Sequence, residues 1–511
     1  MKKIVLIVWC ACVIALATCY AVKPDKTKQV ENSLQYKVRI KGEKEPLMSL
    51  ADRMKFYKTP AVSIAVIDKG KIAWAKGYGT ISLEPNAPAV TTETLFQAGS
   101  ISKPVTAMGA LLLVQQGRLS LDEDVNKYLK SWKVPENEYT KTEKVTLRRL
   151  LSHTAGTSVH GFPGYKIGEY IPTTVEILEG EKPQVNTDPV RVIKIPGTEC
   201  LYSGGGTVIV QLLIEDITGE PFDSWMKKNI LIPFNMISST FDQPFSQEDS
   251  KRAAHGYQFD GKKVPGCWHI YPEQSAAGLW TTPTDLARFA LTLSDVLKGE
   301  KQGQLSQEMV REALKLQHHN PDSDGQGPGL GFFINNPDKK SMIFMHGGVD
   351  EGFQANLVMY PKLKKGWIIM VDSNNGAGLI KELEQSIAQV YDIPGREPLT
   401  VDTFPFAATE AQKYVGSYIY KDSITTITLR KNSLFVSSTG SQSFREKQLY
   451  YAGNDTFFAK EFSEVLFQFV RSGDQLDCIV LLSRGSDTPM KEDGIVIEFK
   501  RVQEKYSKRC L

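Results

Sequence analysis

Apolar and polar positions recur along this chain in patterns that assign most of its elements. The stretch AVSIAVIDKGKIAWAKGYG, residues 61–79, holds two apolar, β-rich runs around DKGK, with Gly70 at the turn, and predicts a hairpin. Residues 94–118 read as a short extended segment turning into a long helix. Its run from Ala107 to Val114 is continuously apolar, Pro104 suits a first turn, and Gly117 suits the end. VTLRRLLSHTAGT (145–157) has a helical pattern stopped at Gly156, and PGTECLYSGGGTVIVQLLIEDITG (196–219) is a glycine-rich turn feeding an apolar helix. In AAGLWTTPTDLARFALTL (276–293), Thr282 and Pro283 lead into an amphipathic helix. Three β runs follow in succession across 340–376, the pattern of an antiparallel sheet, and a helix is expected at 377–391.

Beyond the Pro- and Thr-bearing linker 396–410 the pattern changes. Runs such as YVGSYIY, ITTITLRKNSLFVSS and VLFQFVRSGDQLDCIVLLSR are strand-like and broken by KN and SGD turns, so residues 411–511 are expected to form a separate small β-barrel or sandwich. Before the hairpin, residues 22–45 are polar and lysine-rich and read as a solvated leader, with a helix at 46–57. Residues 158–193 are irregular, and a loop of that length is often functional.

Length sets the domain count: 511 residues exceed one ordinary domain, which leaves 46–395 and 411–511 as the folded units. Residues 1–21 carry two lysines, an apolar run and a small residue at Ala21, the layout of a secretory signal. The protein is therefore expected to be exported, periplasmic or secreted. Cleavage near Ala21 is the first expectation; an uncleaved anchor and a lipid on Cys19 are the alternatives that would associate it with a membrane. Cleavage would leave Cys200, Cys267, Cys478 and Cys510, an even number whose pairing spacing does not give. None sits in a CxxC, so no metal is expected, nor any cofactor. Net charge is +3 with lysines and arginines scattered, which gives no reason to expect a nucleic-acid partner.

Three places carry chemistry. In SISK, Ser100 and Lys103 are three residues apart, so at a helix start they share one face, and the first turn offers unpaired N–H groups and a dipole suited to an alkoxide. Tyr202, followed by Ser203 and three glycines, is held on a loop with its hydroxyl available. His346, Gly347 and Gly348 end the first strand of the 340–376 sheet, where two glycines let a substrate backbone lie close. His153, at the end of an apolar helix, reads instead as a structural residue satisfying the last carbonyls.

SISK at 100–103, YSG at 202–204 and HGG at 346–348, taken in order with the strings LLSHTAG and YSGGG, resemble the three motifs of the serine β-lactamase and penicillin-binding protein superfamily. The likeness is to its class C, D-aminopeptidase and esterase branch, peptidase family S12, over about residues 45–393. It implies an α+β domain, an antiparallel sheet flanked by helices with a helical lobe. The tail resembles the lipocalin-like barrel that some members append. It further implies that Ser100 is acylated, that Lys103 keeps the local potential positive and helps accept the proton, and that Tyr202 is general base and then acid. Two cations beside Tyr202 would stabilise a phenolate. The backbone N–H groups of Ser100 and Val349 would form the oxyanion hole.

Two departures from class C β-lactamases shift the expected substrate. Gly204 replaces their asparagine, and His346 stands where they place the lysine of KTG. The expected function is an exported serine hydrolase acting on a small peptide, D-amino-acid amide or ester. The alternatives are a class C-like β-lactamase or D,D-carboxypeptidase and, in another class, a non-catalytic protein binding cell-wall peptides.

Overall fold

The computed structural model describes residues 25–319, 325–440, 444–462, 465–473, 475–483, 488–489, 491–492 and 495–502. The signal-like stretch 1–21 and Cys510 lie outside them. Among the described residues Cys200, Cys267 and Cys478 are free thiols, and no helix is long and apolar enough to cross a membrane.

The segment expected to be a solvated leader is packed. Helix α1 (Lys26–Glu31) is capped by Asp25, whose carboxylate accepts from the N–H groups of Thr27 and Lys28, and strand β1 spans Val38–Ile40. Val30, Leu34, Val38 and Ile40 are all buried. The lysines mask this pattern in the sequence, because the apolar positions pair with elements from the far end of the chain. Helix α2 (Leu50–Tyr57) then leads into the expected hairpin, β2 (Ala61–Asp68) and β3 (Lys71–Gly79). Lys69 and Gly70 at its turn both have positive φ, at 55° and 74°, the geometry whose twist matches a two-stranded ribbon.

The helical lobe follows. Helix α3 (Ser102–Gln115) is buried from Ser102 to Leu113, and such a helix, apolar on every side, can only be central. Helices α4 (Leu147–Leu151) and α5 (Gly204–Thr218) pack in the same core, and Thr282 caps α6 (Pro283–Lys298) by accepting from the Asp285 N–H.

The remaining strands of the main sheet are β4 (Gln326–Pro328), β5 (Phe333–Asn335), β6 (Ile343–Asp350), β7 (Phe353–Tyr360) and β8 (Lys365–Val371), followed by helix α7 (Gly376–Val390). The seven-stranded order is β3-β2-β8-β7-β6-β5-β4, antiparallel throughout. Alternate side chains of β2 and β8 feed different cores: Ala65, Ile67, Ile368 and Met370 face the helical lobe, whereas Val62, Ile64, Trp367 and Ile369 face α7. Both faces are covered, so these strands read as nearly continuous apolar runs. The HGG residues lie within β6 rather than ending it, because the β6–β7 hairpin continues in register to Asp350 opposite Phe353.

Strand β9 (Leu399–Val401) in the linker pairs in parallel with β1. The tail is a closed barrel of β10 (Gly416–Tyr420), β11 (Ser423–Arg430), β12 (Ser433–Thr439), β13 (Phe444–Gly453), β14 (Thr456–Phe458), β15 (Val465–Ser472), β16 (Gln475–Ser483) and β17 (Glu498–Arg501). Closure comes from the β15–β16 and β16–β17 pairings, which leave no long strand edge among these eight. Its core is aromatic, with Tyr414, Tyr418, Phe457, Phe467, Phe469 and Phe499 buried together. The architecture is therefore the expected one, an α+β domain whose antiparallel sheet is flanked by helices, followed by a small closed all-β barrel.

Candidate active site

Ser100 sits in a single 3-10 turn, Gly99–Ile101, that runs directly into α3. Gly99 has φ of 51°, and a Cβ there would stand 2.5 Å from the Val349 backbone nitrogen. A Cβ on Gly348 would stand 1.8 Å from the Ala98 carbonyl oxygen and 3.3 Å from the Ser100 nitrogen. Only glycine at both positions lets main chain 98–100 lie against main chain 348–349. This places the N–H groups of Ser100 and Val349 on adjoining stretches of backbone.

One turn into α3, Lys103 is almost fully buried; its ammonium donates to Ser100 Oγ at 2.9 Å and to the Ala276 carbonyl at 2.9 Å. Tyr202 faces the same point, with Lys103 Nζ 5.0 Å from its ring centroid. Around that ring stand His153 at 4.3 Å, His160 at 4.9 Å, His346 at 6.2 Å and Phe333 at 6.2 Å between centroids. The site residues named from sequence thus converge. Ser100, Lys103, Tyr202 and His346 through Val349 line one cavity of about 540 Å³, together with His160, Phe162 and Phe333. A larger cavity, of about 740 Å³, lies beside α2 and β3 and contains none of them.

The position of Gly204 is filled from the long loop. Ser203 Oγ donates to the Ser158 carbonyl at 2.6 Å, Gly204 N–H to the His160 carbonyl at 3.0 Å, and Gly205 N–H to the Val159 carbonyl at 3.0 Å. A Cβ on residue 204 would meet the Phe162 ring at 2.9 Å and the His160 carbonyl at 3.1 Å. A side chain on residue 204 would have to displace the Phe162 ring, whose edge occupies that place.

The expectation of two cations at Tyr202 is corrected. Burial, with the Lys103 charge beside it, pushes the His346 imidazole down to about 3, opposed only by its bond to the Gly347 carbonyl. His346 is neutral in the folded protein near neutrality, and His153 is likewise pushed well down by burial and then by Lys103, His346 and His160. An unfolded histidine binds its proton near pH 6.5. Between about 6.5 and 3 the unfolded chain therefore holds a proton at residue 346 that the folded chain refuses, so acidification through this window favours unfolding. Asp350, Asp372 and Glu273, whose carboxyls burial pushes up, act in the opposite sense, and the parent profile mixes both. The difference between parent and His346→Gln isolates the histidine. In urea denaturation the parent is expected to lose up to about 1.4 kcal/mol per pH unit against the variant between about pH 6 and 4. A flat difference would mean that residue 346 is charged in the folded state.

Sequence reasoning missed Phe333, His160 and Phe162, and assigned His153 to a helix end without its neighbour. Phe333 lies in a three-residue strand with no motif of its own. The string LLSHTAG was the available signal for His153.

A model of the beta-lactamase family matches residues 49–392. Penicillin-binding protein 4* of Bacillus subtilis (strain 168) is 23% identical over 451 residues, covering 83% of this chain and 93% of that protein. Protein flp of Staphylococcus aureus (strain N315) is 25% identical over 331 residues, covering 62% of this chain and 60% of its own length. Among solved structures, the octameric penicillin-binding protein homologue from Pyrococcus abyssi superposes with a TM-score of 0.58 at 21% identity, covering 89% of this chain and 98% of that one. SurE does so with a TM-score of 0.54 at 20% identity, covering 89% and 97%. At these identities the structural likenesses establish the fold.

Proposed function

This chain belongs to the beta-lactamase family, a family of serine hydrolases and acyltransferases, and we propose that it is an exported serine hydrolase of the peptidase and esterase branch, working through a Ser100 acyl-enzyme. The observation that carries this reading is the 2.9 Å contact of Lys103 Nζ with Ser100 Oγ beneath the Tyr202 ring. A serine hydroxyl needs its proton removed as it attacks, and a buried ammonium beside it favours the alkoxide.

In this scheme Tyr202 acts as a phenolate balanced by the Lys103 ammonium beside its ring, and takes the Ser100 proton while Oγ bonds to the substrate carbonyl carbon. The oxyanion is held by the N–H groups of Ser100 and Val349. Collapse breaks the bond to the leaving group, which receives the proton from Tyr202. Water then adds to the acyl ester with the same groups, giving the free acid and regenerating Ser100. Loss of general-base help lowers acylation by about 10²-fold or more, and that is the expected result of Lys103→Ala and of Tyr202→Phe in single-turnover assays. An unchanged rate in Tyr202→Phe would remove it as the base.

The substrate we infer is a small peptide, D-amino-acid amide or ester. A neutral His346 supplies no permanent charge for a substrate carboxylate, and the Phe162 ring stands where a side chain on residue 204 would contact a substrate amide. Both features weigh against a true β-lactamase. Labelling with a fluorophosphonate or a fluorescent penicillin tests acylation, and no label from either would sink the enzyme reading. Nitrocefin, p-nitrophenyl acetate and a D-alanyl amide on one preparation then separate the substrate classes. Faster turnover of nitrocefin than of the other two would favour the β-lactamase alternative. Export rests on the layout of residues 1–21.

A further inference from the structure

His153 makes two hydrogen bonds that bracket Tyr202. Its carbonyl accepts the Leu201 N–H at 2.7 Å, and its ring Nδ1 accepts the Ser203 N–H at 3.3 Å. The residues on either side of the tyrosine are thus fixed to one side chain and its own main chain, while the imidazole lies 4.3 Å from the Tyr202 ring. An acceptor at Nδ1 requires a lone pair there, so the ring carries its proton on Nε2 and is neutral. Its surroundings support that state: burial and the Lys103 charge from α3 oppose a second proton, and Phe333 of β5 adds an apolar wall.

The ring holds its place at a backbone cost, and its hydrogen bond to the Ser203 N–H is what only a side-chain acceptor supplies there. His153 has φ of 56°, a left-handed conformation just past the end of α4. After other helices the left-handed conformation is taken by glycine at Gly180, Gly219 and Gly299, and by Lys58 and Asp392. A histidine there carries a backbone cost that glycine avoids. Satisfying helix carbonyls needs no ring, because the main-chain N–H already does so by donating to Leu150.

We propose that His153 is a positioning residue for the reaction at Ser100, a neutral imidazole that fixes the 201–203 segment and so holds the Tyr202 hydroxyl over Lys103 and Ser100. This rests on the reading of Tyr202 as the proton-transferring group. Misplacing such a group by an ångström costs turnover without changing what the pocket binds.

The test uses the full chain and p-nitrophenyl acetate, with Ser100 labelling by a fluorophosphonate as a second readout. His153→Gly relieves the backbone but empties a buried ring site and strips the Ser203 N–H of its acceptor, so its stability is followed by urea denaturation, and among the folded protein kcat is expected to fall at least about tenfold with KM unchanged. His153→Asn tolerates the left-handed backbone and offers Oδ1 in place of Nδ1, and should recover kcat to within about threefold of the parent. In a Tyr202→Phe background His153→Gly should cost nothing further, because its effect passes through the tyrosine. A His153→Gly enzyme as fast as the parent overturns the proposal, as does an Asn variant no faster than Gly or an additive loss in the double variant. If Tyr202→Phe alone costs nothing, or the parent is inert to both probes, the functional reading itself falls and the proposal with it.

Discussion

Ser100→Ala is expected to abolish covalent labelling and to lower hydrolysis by about 10⁴-fold or more, the scale seen when a nucleophile that acts in concert with its base is removed. The structure makes this substitution a clean one. Lys103 keeps its bond to the Ala276 carbonyl at 2.9 Å when Oγ is gone, so no buried ammonium is stranded. Ser100 is only partly buried, and its backbone is held by the turn and by the contact with Gly348. Stability should therefore stay within about 0.5 kcal/mol of the parent, measured by urea denaturation. Label that persists in Ser100→Ala would place the nucleophile elsewhere.

The second large effect is expected from one methyl group. Gly348→Ala puts its Cβ 1.8 Å from the Ala98 carbonyl oxygen; the oxygen is backbone and a Cβ has no rotamer, so neither can turn aside as a longer side chain would. Strand β6 must move off the 98–100 turn, which separates the two N–H groups assigned to the oxyanion. A lost oxyanion donor costs about 10² to 10³ in kcat, and overpacking of this kind about 1–3 kcal/mol in stability. Gly347→Ala is the control, since a Cβ there finds its nearest neighbour, the Ala355 carbonyl oxygen, at an ordinary 3.8 Å. It should fold as the parent does. Equal kcat in the two variants would mean that the close approach of β6 to Ser100 has no part in the reaction.

What was legible in the sequence was whatever a local pattern encodes. The hairpin around Lys69 and Gly70, the helix following SISK, the cap at Thr282 and the β runs of the tail each announce themselves within about a dozen residues, because periodicity and turn chemistry are local. Ser100, Lys103 and Tyr202 were legible for a different reason: their residue types match a known order of motifs. The remainder depends on contacts between distant segments. Val38 and Ile40 look solvated among lysines until Leu399 and the barrel are placed against them. His346 reads as a titrating residue until burial and Lys103 are known. His153 reads as a helix end until Leu201 and Ser203 arrive to bind it.

The pairing of β1 with β9 bears on how the molecule is made. During synthesis strand β1 emerges well before its partner β9, so the early strand must wait while the entire hydrolase domain is produced. Its apolar residues Val38 and Ile40 are covered in the end by Phe458, Leu466 and Leu482 of the barrel. The buried ammonium of Lys460 then closes the same joint on the carboxylates of Glu43 and Glu45. The barrel therefore serves as a clasp on the early strand, and that joint closes only after the barrel strands, Gly416 through Arg501, have left the ribosome.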